Sequence, residues 1–439
     1  MPQQNCAKIL IVGKNFNHQT GSGITLSNLF SSYPRDRIAV VTAYRNSDLG
    51  FCKRVYRLTA RDTKYLLRSP KSRRDYERVV SKYLPRSHNS VLLAWKDRLL
   101  GFINSYILGS ICRIFKKIFR IRCFRFFYIS TALSSWIESF DPDLIYTHLG
   151  EISHTLLFEQ IRLAYKKPYA VHIMDDWFQF HPECKQDGPM YPMVCNQIQK
   201  ASVLMAICDG MATEFKKRFG REFLAFHNPV DVESRKHLVK SDWSIKNESF
   251  TILFAGSLKN KLQDYAEVCK AIDDLRRKRD YRISFHLYTM DHDSTEARRL
   301  EEFQGVKVFA HIPNDQIAAM LVEADLLLLN LSLDENQARI AMFSMPTKTS
   351  EYMYSGTPIL VYAHADSALT LYAQEYNWGF VVTERDSEKL KKAIADLYKN
   401  ESLRQSLGET SHSLAVTRHN KVQVSQDFCE QLNRPFRRL

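Results

Sequence analysis

Paired cysteines and long apolar runs are both absent from this 439-residue sequence. Its nine Cys are scattered, odd in number and without a CxxC pair, which favours reduced thiols over a disulfide framework or a zinc site. The longest uncharged run in the basic part of the chain, 99–112, has 14 residues and is too short to span a bilayer comfortably. The first residues, MPQQNCAKILIVG, lack the basic region, apolar core and cleavage site of a signal peptide. We therefore expect a cytoplasmic protein.

Several catalytic signatures are missing as well. The sequence has no Walker phosphate loop and no GxSxG nucleophile elbow, and Leu26 stands where a GxGxxG fingerprint requires its last glycine. One DxD triplet occurs, at 291–293, but a chain of this length contains such a triplet by chance. No His or Cys cluster has the spacing of a zinc site. We therefore expect no bound metal.

Acidic residues are scarce in one part of the chain. Residues 51–128 hold 20 Lys and Arg against 4 Asp and Glu, or +16, whereas the whole chain carries +14. The rest is therefore close to neutral, at −2. The stretch SYILGSICRIFKKIFRIRCFRFFYIS, 105–130, interleaves basic and large apolar residues, which favours an amphipathic helix on an anionic membrane surface. Nucleic acid is the rival partner, and a helix packed on the first domain with its charges in water is also open.

Strand-like apolar runs alternate with helical patterns along most of the chain. The predicted strands are 8–13, 37–42, 143–147, 169–173 and 202–207, then 251–255, 283–288, 307–309, 325–330 and 358–362. This alternation predicts an α/β protein of two doubly wound domains, 1–232 and 250–415, joined by a polar linker and followed by a helical tail, 416–439. Ligands of such sheets bind at the carboxyl ends of the strands, so two facing domains would leave a cleft between those ends.

Polar residues follow several predicted strands. The loop after the first strand contains HQTGSG, 18–23, whose glycines allow a phosphate or sugar to approach the backbone. His148, His172, Asp175 and Asp176 stand at or just after the ends of two further strands. Lys259 and Lys261 follow the first strand of the second domain and could contact a diphosphate. Solvated turns, and a hydrogen-bonded structural histidine at position 148, are the competing interpretations.

The stretch FSMPTKTSEYMYSGTPIL, 343–360, predicts a short helix followed by a buried strand. Pro346 is typical of a first helical turn, and Gly356 stands where a helix C-cap belongs. Free N–H groups at the start of this helix would attract an anion. Lys348 and Glu351 are three residues apart and lie on neighbouring faces. They could serve a nucleotide, although a surface ion pair is equally consistent with the spacing.

These motifs together resemble the GT-B glycosyltransferases, in particular the retaining group called family 4. The similar segments are FAGSL (254–258), MAICDGMATEFKKRFG (205–220) with HNPVD (227–231), VKVFAHIPNDQIAAMLVEADLLLL (306–329), PTKTSEYMYSGTPIL (346–360), GSGITLSNLF (21–30) and HIMDDW (172–177). The resemblance covers most of the chain except about 50–130. It implies a GT-B fold, with two facing Rossmann-like domains and a cleft between them.

The resemblance also implies roles for individual residues. Glu351 would bind the nucleotide ribose, and His172 would lie near the reacting sugar carbon. The predicted catalytic residues are His172, Asp176 and Glu351. The predicted donor site comprises Gly21, Gly23, Gly256, Ser257, Lys259, Lys261, His311, Ile312, Ser344, Lys348 and Glu351, and the predicted acceptor site comprises His18, His148 and Asp175. Lys259 and Lys261 do not align cleanly with the family's lysine. Two positions depart from the family: Phe343 replaces a glutamate that binds donor sugar hydroxyls, and Ser257 replaces an arginine of the phosphate loop.

The expected activity is transfer of a sugar from a nucleotide-diphosphate sugar, with UDP or GDP as the nucleotide and no further cofactor. Retention of anomeric configuration follows from the resemblance alone. The basic segment suggests a glycan or lipid-linked glycan acceptor in cell-surface polysaccharide synthesis, reached by a peripheral enzyme on the inner face of the membrane, without nucleic acid. A sugar-nucleotide epimerase of the same fold, or a catalytically weak partner subunit of a transferase complex, are the alternatives.

Overall fold

The computed structural model describes residues 6–66, 68–84, 124–246, 249–258, 262–279 and 281–436. The chain forms two compact units. The first comprises the described residues up to Phe226 and those from Ser425 onward, and the second comprises those of His227–Val424. The end of the chain thus contributes to the first unit, whereas the sequence suggested a separate tail from 416.

The first unit contains a seven-stranded sheet in which all strand pairs are parallel. Together with a separate pair, the strands of the first unit are β1 (Ile9–Gly13), β2 (Ile38–Thr42), β3 (Val55–Arg57), β4 (Thr63–Leu66), β5 (Phe124–Phe127), β6 (Leu144–His148), β7 (Tyr169–Ile173), β8 (Val203–Ala206) and β9 (Leu224–Ala225). The sheet order is β3-β2-β1-β6-β7-β8-β9, and β4 and β5 form a separate antiparallel pair. Every residue of β1, β2, β6, β7 and β8 is buried, as expected for a parallel sheet covered on both faces.

Helices connect these strands. They are α1 (Gly21–Leu29), α2 (Arg73–Lys82), α3 (Thr131–Phe140), α4 (Ile152–Tyr165), α5 (Trp177–Phe180), α6 (Tyr191–Gln199) and α7 (Asp209–Phe219), with short 3₁₀ turns at Arg35–Arg37, Ala60–Asp62 and Pro182–Cys184. Local sequence fixes their starts: Thr20 caps α1, and Ser72 with Asp75 forms a capping box at the start of α2.

The second unit repeats the parallel arrangement with six strands. They are β10 (Phe250–Ala255), β11 (Ile283–Thr289), β12 (Val306–Ala310), β13 (Leu326–Asn330), β14 (Ile359–Tyr362) and β15 (Phe380–Val382), in the order β12-β11-β10-β13-β14-β15. The strand order reverses beside β10 here and beside β1 in the first sheet. Each sheet therefore has a switch point at which ligands of this fold class bind.

The helices of the second unit are α8 (Leu262–Arg279), α9 (Thr295–Glu301), α10 (Asn314–Glu323), α11 (Glu335–Ala341), α12 (Thr349–Tyr354), α13 (Ala368–Tyr376), α14 (Ser387–Lys399) and α15 (Glu401–Arg418). The final helix, α16 (Lys421–Asn433), is followed by a 3₁₀ turn at Arg434–Phe436. From Ser425 onward α16 belongs to the first unit, where the Phe428 ring lies 5.0 Å from that of Phe30 and 5.2 Å from that of Phe226. This aromatic packing explains why the end of the chain joins the first unit.

The α/β fold and the ten predicted strands are confirmed, and each strand end agrees with its predicted position to within one residue. The short strands β3, β4, β5, β9 and β15 were not predicted. The predicted amphipathic helix over 105–130 is wrong at its end, where Phe124–Phe127 forms a strand paired with Thr63–Leu66. The rest of that prediction, up to 123, lies outside the described residues. The seven cysteines in the described part of the chain are free.

Candidate active site

Lys348 is held against the carboxyl end of β10 in the second unit. Its Nζ donates to the Ala255 carbonyl oxygen at 2.7 Å and lies 3.7 Å from the centroid of the Phe254 ring. The next residue is Gly256, and a Cβ added there would stand 2.5 Å from Nζ. A side chain at 256 would therefore displace this ammonium group, which lies beside the turn after β10.

The helix that carries Glu351 is shorter than the sequence predicted. The predicted start at Pro346 is wrong: α12 begins at Thr349, because Pro346 accepts a turn hydrogen bond from the Thr349 amide at 3.0 Å before the helix starts. Gly356 does end the helix as predicted, with a positive φ of 70°. The Tyr352 hydroxyl accepts a hydrogen bond from the Ala255 amide at 2.9 Å, so α12 is joined to β10 by Tyr352 as well as by Lys348.

Glu351 forms an ion pair with a residue that the sequence did not reveal. Its Oε1 accepts from Arg235 Nη2 at 2.8 Å, and both side chains are largely shielded, with exposed fractions of 28% and 17%. Within the described part of the chain, Oε2 has no hydrogen-bond partner. Asn228 lies seven residues before Arg235 in the sequence, and its Nδ2 donates to the Thr347 carbonyl at 2.7 Å. Arg235 and Asn228 thus order the start of α12 from outside the motif.

The remaining predicted donor residues are spread over several loops. Ser257 Oγ lies 3.4 Å from Asp291 Oδ2. His311 is exposed and Ile312 is buried directly after β12, two strands away from β10 in the sheet. The Ser344 amide donates to the Ala341 carbonyl at 3.0 Å. Lys259 and Lys261 lie outside the described residues.

The first loop of the first unit is built around Asn17. Its Oδ1 accepts hydrogen bonds from the Gln19 and Thr20 amides at 3.0 and 2.8 Å. Thr20 Oγ1 in turn accepts from the Gly23 amide at 3.1 Å and caps α1, which begins at Gly21. A Cβ at Gly23 would stand 2.1 Å from Asn17 Nδ2. Gly23 is therefore required for the packing of this loop, and Gly21 lies exposed at the first position of the helix.

Two buried histidines end neighbouring strands of the same sheet. His148 and His172 are register partners on β6 and β7, and His172 Nδ1 lies 2.7 Å from the Tyr146 hydroxyl. Within the described residues, His172 Nε2 and both ring nitrogens of His148 have no hydrogen-bond partner. Burial lowers the pKa of His172 to about 3 and that of His148 well below its usual value, the latter with help from Lys14. Both imidazoles are therefore neutral at physiological pH.

The other predicted residues of the first unit differ in exposure. Asp176 is 1% exposed and forms an ion pair with Arg218 of α7 at 3.0 Å. Burial raises the pKa of Asp176, and Arg218 opposes that rise. Asp175 is exposed, and His18 is exposed beside Asp48, with a contact of 3.2 Å. Asp176 thus joins the start of α5 to α7, while Asp175 and His18 lie at the surface.

A polar cluster at this sheet edge was missed by the sequence reasoning. Lys14 Nζ lies 3.2 Å from the Tyr44 hydroxyl, Tyr44 donates to Glu151 Oε1, and His154 Nδ1 lies 3.0 Å from Glu151 Oε2. The hydrogen bond with His154 is the main reason that the pKa of Glu151 falls to about 2. Lys14, Tyr44 and Glu151 each lie within three residues of the end of a strand. A systematic inspection of residues after each predicted strand would have found them.

Two searches over the described residues gave negative results. No group of three or more His, Cys, Asp or Glu side chains in these parts of the chain could hold a metal ion. Among the helices that the structure describes, none has the length and apolar character needed to cross a membrane.

Most of the second unit, which contains Lys348 and Glu351, matches the model of a known protein family. Residues 236–413 match the family model described as Glycosyl transferases group 1. None of the curated proteins compared with the chain gave a significant match. The family match covers about two fifths of the chain.

Several solved structures share the fold over nearly the whole chain. HepE of Anabaena, solved with UDP-glucose, is 16% identical with a TM-score of 0.61, covering 98% of this chain and 100% of that one. Sucrose-phosphate synthase of Thermosynechococcus elongatus is 11% identical with a TM-score of 0.61, covering 98% and 99%. WaaG, a glycosyltransferase involved in lipopolysaccharide biosynthesis, is 11% identical with a TM-score of 0.52, covering 97% and 99%. At sequence identities of 11–16%, this structural similarity shows that the fold is shared.

Proposed function

We propose that this protein transfers a sugar from a nucleotide-diphosphate sugar, with UDP or GDP as the nucleotide, to a glycan or lipid-linked glycan acceptor. The observation that carries the proposal is the Lys348 ammonium held beside Gly256 at the switch point of the second sheet, inside the segment that matches the glycosyl transferases group 1 family. The diphosphate of the donor would lie at this turn. HepE, which shares the fold, was solved with UDP-glucose.

Lys348 would stabilise the leaving nucleoside diphosphate. Negative charge develops on the diphosphate as the glycosidic bond breaks, and a fixed cation stabilises that charge without reorganising during the reaction. Contacts with Ala255 and with the Phe254 ring hold the ammonium in place beforehand. We propose that lysine and backbone N–H groups do this work without a metal ion or other cofactor.

Glu351 would bind the ribose. Arg235 holds Oε1, and Oε2 has no partner within the described residues, so Oε2 is the atom that would accept a hydrogen bond from a ribose hydroxyl. His311 and Ile312 would present backbone to the base, and Ser344 and Ser257 would complete the donor site. His172 and Asp176 would assist the reaction, with Gly21 and Gly23 near the diphosphate and His18, His148 and Asp175 near the acceptor.

Retention of configuration, a role in cell-surface polysaccharide synthesis and a peripheral position on the inner face of the membrane belong to the same proposal. They rest on the family resemblance and on the charge of residues 51–128, which is +16.

Thermal unfolding with UDP, GDP, ADP, CMP and their common sugar conjugates tests the donor site. A ligand at about 100 times its dissociation constant adds roughly 2.7 kcal/mol to the free energy of unfolding. We expect this stabilisation with UDP or GDP and its loss in Glu351→Ala.

Glu375→Ala is the matched control, because Glu375 is an exposed glutamate of the same unit on α13. It should keep the full response. Equal stabilisation of wild type and Glu351→Ala would show that Glu351 does not bind the nucleotide. The absence of stabilisation by every nucleotide would contradict the proposed donor site. Analysis of the products formed from the sugar conjugate that stabilises the protein then distinguishes sugar transfer from epimerisation.

A further inference from the structure

The ion pair between Arg235 and Glu351 uses only part of each charged group. Arg235 Nη2 donates to Glu351 Oε1 at 2.8 Å. Within the described residues, neither the other N–H groups of this guanidinium nor Glu351 Oε2 has a partner. Both side chains are largely shielded from solvent. We call this arrangement the half-open pair, because it leaves hydrogen-bond donors and an acceptor side by side.

A shielded ion pair of the first unit has a different geometry. Arg162 Nε and Nη2 donate to the two carboxylate oxygens of Glu159 at 3.0 and 2.5 Å. Two parallel bonds of this kind are frequent between arginine and a carboxylate, because the planar guanidinium matches the spacing of the two oxygens. The half-open pair lacks the second bond although both of its side chains are shielded as well. Its two charged groups are therefore arranged so that each keeps hydrogen-bonding capacity for a further group.

Other hydrogen bonds already hold the chain around Arg235 against α12. The Tyr354 hydroxyl donates to the Val232 carbonyl at 3.0 Å, and Asn228 Nδ2 donates to the Thr347 carbonyl at 2.7 Å. The Arg235 amide donates to the same Val232 carbonyl at 3.3 Å. These bonds place the backbone of Arg235 beside the helix without the ion pair. The unused groups of the half-open pair are therefore better explained by a ligand than by folding.

The chemistry of the half-open pair fits two adjacent hydroxyl groups. A hydroxyl can both donate and accept a hydrogen bond, whereas an ionised carboxylate can only accept and a guanidinium can only donate. One hydroxyl of such a diol would donate to Glu351 Oε2, and its neighbour would accept from a free N–H of Arg235. A phosphate fits less well, because the Glu351 carboxylate would repel it. Hydrogen bonds to charged groups are roughly twice as strong as neutral ones, so both hydroxyls would contribute to affinity.

We propose that Arg235 binds the donor ribose together with Glu351, each contacting one of the 2′- and 3′-hydroxyls, and that Arg235 is a specificity-determining residue for ribonucleotides. This inference rests on the proposed function, which places the diphosphate at Lys348. Lys348 and Glu351 are one turn apart at the start of α12, as the diphosphate and the ribose are adjacent in a nucleotide. A 2′-deoxyribonucleotide would leave one charged group of the half-open pair without its partner. Deoxythymidine diphosphate sugars would therefore be poor donors.

Calorimetric titration of the full chain with UDP, GDP and their 2′-deoxy and 3′-deoxy forms tests the proposal. We expect wild type to bind the preferred ribonucleotide about 100-fold more tightly than either of its deoxy forms. Arg235→Gln should bind the ribonucleotide and one of the two deoxy forms within about threefold of each other, and that form identifies the hydroxyl that Arg235 contacts. Arg282→Gln is the control, because it removes an exposed arginine of the same unit at the amino end of β11, and it should match wild type.

The contrary outcomes are distinct. Equal affinity of wild type for the ribonucleotide and either deoxy form would overturn the inference and leave the donor site intact, and this comparison needs no variant. Equal weakening of all three forms in Arg235→Gln, with both preferences retained, would show that Arg235 merely holds Glu351 and would also overturn it. Binding of none of these nucleotides by wild type would instead contradict the proposed donor site, and the inference with it. Unchanged thermal unfolding of both variants verifies that they are folded.

Discussion

The imidazole of His172 contacts a protonated phenol. Burial keeps the Tyr146 hydroxyl protonated by raising its pKa well above the usual value, and within the described residues that hydroxyl lies 2.7 Å from His172 Nδ1. When the phenol donates to Nδ1, the proton of the neutral imidazole lies on Nε2.

The buried histidines predict that acid destabilises the protein. The pKa of His172 is about 3 in the folded protein and about 6.5 in an unfolded chain, so the unfolded state binds more protons between these values. The free energy of unfolding therefore falls as the pH drops below about 6.5, by roughly 2 kcal/mol at pH 5 from His172 alone. Urea unfolding of wild type and His172→Phe at pH 7 and pH 5 measures this fall in the free energy of unfolding.

We expect the variant to lose about 2 kcal/mol less than wild type over that interval. His148 has a lowered pKa too, so a smaller acid dependence remains in the variant. His18→Gln is the control, because His18 is exposed, and it should behave like wild type. An identical acid dependence in wild type and His172→Phe would show that His172 is not held neutral.

Residue types at the ends of strands could be predicted from the sequence, but their partners could not. Glu351, Lys348 and Gly256 were identified by motif, and the structure brings Lys348 and Gly256 together. The pairing of Glu351 with Arg235 joins residues 116 positions apart. No helical or strand periodicity links two such positions, so this contact depends on tertiary structure alone.

At the scale of elements, β10 and α12 act as one structural piece. Lys348 and Tyr352 both contact Ala255, so the turn after the strand and the start of the helix are held together by two hydrogen bonds. The sequence predicted both elements because their apolar residues and their Pro and Gly positions are local signals. It placed the helix start three residues too early, because the Pro346 turn uses the same local signal as a helical first turn.

Gly256→Ala should separate these two elements. The new methyl would stand 2.5 Å from Lys348 Nζ and 2.9 Å from Phe254 Cζ, and the buried Phe254 ring has little room to shift. The ammonium would leave the Ala255 carbonyl, and overpacking would cost about 1–3 kcal/mol of stability. Urea unfolding and UDP or GDP titration measure the two effects.

Gly50→Ala serves as the control for this substitution, because its new Cβ would meet just the Asp48 carboxylate, at 3.1 Å. It should leave both quantities unchanged. Full stability together with full nucleotide affinity in Gly256→Ala would contradict the assigned role of the turn.

At the scale of the whole molecule, the proposed nucleotide site lies in one of the two units. We expect UDP or GDP to slow amide hydrogen exchange mainly in 250–258 and 349–356 of the second unit and to leave it unchanged in 68–84 of the first. The physical reason is that bound ligands stabilise the hydrogen bonds next to them against local opening. Hydrogen exchange of the full chain followed by mass spectrometry resolves these segments. Nucleotide protection in 68–84 without protection in β10 and α12 would reverse the assignment.

The two ends of the second unit lie side by side. The Val230 amide donates to the His419 carbonyl at 2.8 Å, and the Lys421 amide donates to the Val230 carbonyl at 2.9 Å. Because the first unit contains residues on both sides of 227–424, the second unit is an insertion into it, and ends that lie close together allow such an insertion to be tolerated. A replacement for 227–424 would therefore need ends that meet in the same way, and every strand of the seven-stranded sheet would remain.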